Sequence, residues 1–186
     1  MKNYTGVQLK NRFIKRGKLQ KEDVIESVIK DAFTYCSDGS IETCKEPAFR
    51  GVTDGVLTMY KTSSRSEVLC KMINESKRNI QRNSIGYKRQ VIQCLGYAVQ
   101  FLMDGNLKFL IFTSERYIDY MSIDENIDII WKYLGKIRQG IDEYPPSELY
   151  KSITNFNLNE FVIYHNNITD DFNMKDIILD IRNKMV

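Results

Sequence analysis

Residues 90–123 read QVIQCLGYAVQFLMDGNLKFLIFTSERYIDYMSI, and three segments of different periodicity separate within them. Over residues 87–103, Val91, Leu95, Ala98, Val99 and Leu102 fall on one side of a helix, and Gly105-Asn106 ends it. The next seven residues, LKFLIFT, form a short apolar run of the kind buried on both faces of a sheet. Residues 116–121 return as another strand. A helix feeding a doubly buried strand is the signature of an α/β layer structure.

The flanking segments extend this pattern. Over residues 21–35, Val24, Ile25, Val28, Ile29, Ala32 and Phe33 recur at helical spacing. A loop with S-D-G-S and a proline follows. Residues 52–60 and 67–75 then read as two strands joined by K-T-S-S-R-S, a hairpin. Residues 1–20 carry little structural signal. Beyond the last strand, helices are expected at 124–139 and 147–153, a further strand at 158–164, and a last helix at 173–184 capped by Asn173. Pro145-Pro146 is the strongest breaker. The expected architecture is one α/β domain, a short mixed sheet flanked by helices. It divides into a basic arm (1–20), a core (21–122) and a mostly helical C-terminal extension packed on that core (123–186).

Composition narrows the function. A chain of 186 residues with 42% apolar content supports a real core. No apolar run reaches the roughly 20 residues of a membrane span, and the basic N-terminus lacks the apolar stretch of a secretory signal. Cys36, Cys44, Cys70 and Cys94 form no C-x-x-C pair, which fits reduced thiols in a cytoplasmic protein better than zinc ligands. The single histidine, His165, argues against His-rich metal chemistry, so catalysis must rest on carboxylates, lysines and hydroxyls. Residues 1–114 hold 19 Lys and Arg against 11 Asp and Glu, whereas residues 115–186 hold 8 against 13. A basic front part, with seven cations and no acid in the first 21 residues, suits a polyanion. The acidic remainder suits solvent or a protein partner.

The candidate site lies where the second hairpin strand ends. Glu75 and Lys77 alternate onto one face of it. An exposed ion pair at a strand end is the bland account of that spacing. Folding the hairpin about residue 64 pairs positions that sum to about 128, which sets Asp54 opposite Asn74 and within one residue of Glu75. Two carboxylates so close call for a cation, and hard oxygen donors suit Mg²⁺ or Mn²⁺. Gln93 and Tyr97, four apart, share one face of the following helix, and Gln90 offers a further polar group.

Asp54, Glu75-Ser76-Lys77 and the helix Gln93-Cys94-Leu95-Gly96-Tyr97 together resemble the PD-(D/E)xK nuclease superfamily, in the subgroup with a Q-x-x-x-Y helix. Residues 90–123 are similar to the helix–strand–strand segment of the N-terminal nuclease domain of type I restriction enzyme motor subunits. The resemblance covers residues 20–122 and implies a restriction endonuclease-like three-layer sandwich. It implies that Asp54, Glu75 and the Ser76 carbonyl bind the metal, with Glu26 (or Glu22) adding an acid from the first helix. Lys77 would assist the attacking water, and Gln93 and Tyr97 would brace the site. Thr53 stands where proline is common, and no G-x-x-x-x-G-K-[ST] loop accompanies the module. Arg78, Arg82, Lys88 and Arg89 are the residues expected along a DNA backbone.

The expected function is therefore a metal-dependent DNA endonuclease, of which a junction-resolving or repair nuclease is a variant. The alternative is a non-catalytic structural or interaction protein that retains the fold, such as a phage particle component, which would place it in a virion. In either case a homo-oligomer or a protein partner would dock through the C-terminal extension, and no membrane is involved.

Overall fold

The computed structural model describes residues 2–44, 55–101 and 104–185. Its centre is a five-stranded sheet. The strands are β3 (Ile41–Cys44), β4 (Gly55–Tyr60), β5 (Val68–Ser76), β6 (Leu107–Thr113) and β7 (Ile118–Ser122), lying side by side in that order. All neighbours are antiparallel except β5 and β6, which run parallel because helix α3 (Ile85–Gln100) carries the chain from the end of one to the start of the other. β6 therefore lies between β5 and β7 with both faces covered, the position its unbroken apolar sequence demands.

Side-chain alternation sorts the strands into two cores. Leu57, Met59, Cys70, Met72, Phe109 and Ile111 point to one face and meet helices α1 (Gly6–Phe13), α2 (Glu22–Cys36) and α5 (Met174–Lys184). Ile73, Leu110, Phe112 and Met121 point to the other and meet α3 and α4 (Ile127–Glu143). Helix α2 buries Ile25, Val28, Ile29, Ala32, Phe33 and Cys36, the stripe its spacing predicts, and opens with Glu22 and Asp23, which suit the positive end of its dipole. Among the described residues no helix is long and apolar enough to cross a membrane.

Four local expectations change. Residues 1–20 are not weakly structured. Thr5 and Gln8 form a reciprocal capping box that starts α1, Leu9 and Phe13 are buried, and a two-strand hairpin follows, β1 (Ile14–Lys15) and β2 (Lys18–Leu19). Its turn residues Arg16 and Gly17 both have positive φ, +54° and +73°, as a two-residue turn of this hand requires. The segment 158–164 is not a strand. It is a 3₁₀ turn (Leu158–Glu160) and then a single bridge from Tyr164 to Tyr120. Residues 147–153 likewise tighten into a 3₁₀ helix (Pro146–Ser152) after the proline pair. Asn173 precedes α5 without capping it through its side chain. Instead Asn3 Oδ1 accepts the Lys175 N–H at 3.0 Å, so the first residues cap the last helix. Gly6 allows this approach, since its N–H donates to the Phe172 carbonyl at 2.8 Å and any Cβ would collide with the Thr169 carbonyl.

No disulfide links the four cysteines, and only Cys44 is exposed. Burial pushes the Cys36 thiol up to about 11 and the Cys70 thiol up to about 12. Both stay protonated in the folded chain at a pH where the unfolded chain has lost those protons. The stability they carry is whole below about pH 9 and is lost as the pH climbs toward 11–12. Urea midpoints measured through that range are expected to fall steadily. At pH 8, thiol reagents are expected to label Cys44 quickly and the buried thiols only at the rate of unfolding.

Candidate active site

The site forms where β5 and β6 end side by side and α3 passes over them. Their register pairs Glu75 with Phe112 and Ser76 with Thr113. Gln90 of α3 clamps both strand ends, donating from Nε2 to the carbonyls of Glu75 (2.8 Å) and Thr113 (2.9 Å) while its Oε1 accepts from the Tyr117 hydroxyl. The Lys77 N–H also donates to the Thr113 carbonyl, at 2.9 Å. On the opposite face Asn74, Ser76 and Thr113 join in a buried hydrogen-bonded group, with Ser76 Oγ and Thr113 Oγ1 2.7 Å apart. Fixed from both sides, the strand end presents its alternate side chains with little freedom.

Those side chains are Glu75 and Lys77. Glu75 is 2% exposed, and a carboxylate so buried is costly unless a cation answers it. Lys77 Nζ lies 3.2 Å from Glu75 Oε1 and donates to Gln93 Oε1 at 3.0 Å. The ammonium is thus held between a carboxylate and an amide from a different element, which separates this pair from a solvated strand end. Tyr97, one turn beyond Gln93, is buried in the same core as Ile73.

The register places Gly55 opposite Asn74, so paired positions sum to 129 rather than 128, and Asp54 itself lies outside the described residues. Glu26 is buried on α2 with Lys30 Nζ 2.7 Å from its Oε1, and Glu22 is exposed at the start of that helix. Lys30 packs its stem against Gly55. The four basic residues expected along DNA are in different situations. Arg78 reaches back to the carbonyls of Gln20 (2.8 Å) and Leu19, Arg82 forms a two-pronged pair with Asp119, Arg89 stacks 4.0 Å over the Tyr150 ring, and Lys88 is half-buried on α3. Arg78 therefore ties the base of the β1–β2 hairpin to the residue that follows Lys77, leaving Lys15, Arg16 and Lys18 exposed on that hairpin. Asn79 supports this turn in a left-handed conformation, φ +55°, its N–H held by both oxygens of Glu115.

A second polar cluster lies outside the sequence-based expectations. Asp119 of β7 is fully buried, on the same face as Glu75 and in register with the opposite side of Phe112. It accepts hydrogen bonds from Arg82 Nε and Nη2 (both 2.9 Å), the Tyr87 hydroxyl (2.7 Å) and the Asn166 N–H (2.9 Å), and His165 Nδ1 lies 2.9 Å away. Burial and the neighbouring Asp119 raise the Tyr87 phenol far above its ordinary value, so this hydroxyl acts as a permanent donor. The signal in the sequence is a lone acid inside the apolar run Y-I-D-Y-M.

No family model, curated protein or solved structure matches the chain.

Proposed function

We propose that the protein is a metal-dependent deoxyribonuclease built on a restriction endonuclease-like core, with Glu75, Lys77 and Gln93 in its active site. The carrying observation is the buried Glu75 carboxylate with the Lys77 ammonium fixed 3.2 Å away by Gln93. The element order gives further support: a helix, an antiparallel meander, a crossover helix and a parallel strand occupy the span of the nuclease resemblance.

Among the described residues, no group of three His, Cys, Asp or Glu side chains could hold a metal ion. Mg²⁺ needs fewer, since it keeps most of its waters and takes one or two carboxylates. Glu75, Asp54 and the Ser76 carbonyl are all hard oxygen donors and would hold Mg²⁺ or Mn²⁺. When bound, such an ion supplies a Lewis acid for the phosphate and a more acidic water. The chain's own part is positional. Lys77 orients the attacking water and offsets the charge gathering on the phosphate. Gln93 keeps the ammonium from swinging to solvent, and Gln90 keeps the Glu75 backbone fixed.

Incubating plasmid DNA with the protein and Mg²⁺ or Mn²⁺ tests the reading, with Asp54→Ala and Glu75→Ala as comparisons. Nicking by the wild type and loss in both variants is expected. Equal cutting by all three, or none under any divalent metal, defeats it.

The exposed cations of the β1–β2 hairpin, tethered by Arg78 beside Lys77, are well placed for the phosphate backbone. Replacing Lys15, Arg16 and Lys18 together by alanine is expected to flatten the dependence of log K for DNA on log[salt] by about 2–3 in slope. Fluorescence anisotropy across a salt series measures this.

A further inference from the structure

We propose that the cleft beside Asp119 is a binding site for a nucleoside phosphate, separate from the Glu75–Lys77 end of the sheet. The cleft has a volume of about 550 Å³, within the usual range for small-molecule sites, and is bounded by Arg82, Asn83, Leu158, Asn159, Phe161 and His165. Asp119 is buried and its oxygens accept from every partner around them, so the hydrogen on His165 lies on Nδ1. That leaves Nε2 as the outward nitrogen of a ring that is 46% exposed. Arg82 spends Nε and Nη2 on the same carboxylate and keeps Nη1 without a partner among the described residues. One buried acid therefore aims two nitrogen groups into one cleft and holds both in orientation.

The remaining lining decides the ligand class. Asn83 and Asn159 add amides at the rim, while Leu158 and Phe161 give an apolar wall. The Arg82 Nη1–H can donate to a phosphate oxygen while His165 Nε2, an acceptor in this tautomer, takes the hydroxyl of a singly protonated phosphate. Beside an apolar wall this pair matches a phosphate joined to a flat, weakly polar body, which is a nucleotide. An amino acid would need an acid for its ammonium, and the residues lining the cleft include none. Two strand spacings, roughly 10 Å, separate this cluster from Glu75, with Phe112 between them. The binding does not depend on the metal chemistry proposed above. Two sources offer the same chemistry, a free mononucleotide or the terminal nucleotide of a strand.

His165 is the only histidine, so its imidazole protons give the only histidine lines in a proton NMR spectrum of the untagged protein. Titration with a deoxynucleoside 5′-monophosphate is expected to shift those lines saturably. Inorganic phosphate should act more weakly and the unphosphorylated nucleoside hardly at all. A short single strand with a 5′-phosphate acting at lower concentration than the mononucleotide assigns the site to strand ends, and the reverse order assigns it to free nucleotides. Asn159→Ala, a change at an exposed position, should weaken binding about three- to tenfold, and His165→Asn, read by calorimetry, about tenfold. Lys77→Ala should leave the shift intact. The proposal is overturned if no nucleotide moves the lines, if phosphate alone binds as tightly as the nucleotide, or if Lys77→Ala abolishes the shift.

Discussion

Lys77→Ala is expected to lower Mg²⁺-dependent cleavage by about 10²–10⁴-fold while DNA affinity changes little. That range is the usual contribution of a positioned acid–base or charge-stabilising group. The reason for a rate effect without a binding effect lies in the geometry. Lys77 is enclosed by Glu75 and Gln93, with the hairpin and α3 presenting the more exposed cations. In the proposed nuclease, removing it would take away charge compensation at the reacting phosphate and leave the flanking contacts in place. Single-turnover cleavage at saturating enzyme, set beside anisotropy in Ca²⁺, separates the two quantities. A parallel loss of affinity and rate would make Lys77 a binding residue. Gln93→Ala, which frees the ammonium without removing it, is expected to fall between wild type and Lys77→Ala.

Asp119→Ala has the largest expected effect on stability, about 3–5 kcal/mol. The loss comes from what remains behind: the Arg82 guanidinium, the buried Tyr87 hydroxyl and the Asn166 N–H all lose their acceptor together. For a chain of this size that corresponds to a fall in Tm of roughly 10 °C. Removing the exposed partner of a surface pair, Asp170→Ala against Lys10, should leave Tm nearly unchanged. Calorimetry on the two variants reads the contrast directly. Equal shifts would mean that Asp119 does not hold the 158–167 segment to β7 and α3.

Strong periodicity makes an element legible in the sequence alone. Helix α2, the β4–β5 hairpin, α3 and β6 each carry a pattern that one face, or both, must bury. The site is legible in part for the same reason: Glu75 and Lys77 share a face by alternation, and Gln93 lies on the helix that must cross above them. The expected register is off by one because β5 bulges at Leu69. Tyr60 pairs with Val68 on the turn side, as folding about residue 64 gives, but Met59 pairs with Cys70 beyond it. A turn-based count cannot see an extra residue inserted in the strand. β3 escapes a local reading because its four residues, Ile41–Cys44, carry almost no period, and its pairing with β4 supplies what the local sequence lacks. Helix α1 has a visible start signal in T-G-V-Q, hidden under its charge. Asp119 and His165 lie 46 residues apart, and nothing local announces that they meet.

The cap that Asn3 places on α5 joins positions 172 residues apart. Helix α1 can pack on α2 early, through Leu9, Phe13 and the Arg12–Asp31 pair, but the seam between residues 3–6 and 172–175 cannot close, nor α5 be capped, until Phe172 to Lys175 have left the ribosome. Two distant stretches of the chain thus close one seam, and neither half is complete without the other. The sheet pairs segments nearer in the chain and can assemble first, which makes this contact a long-range latch across an already formed sheet.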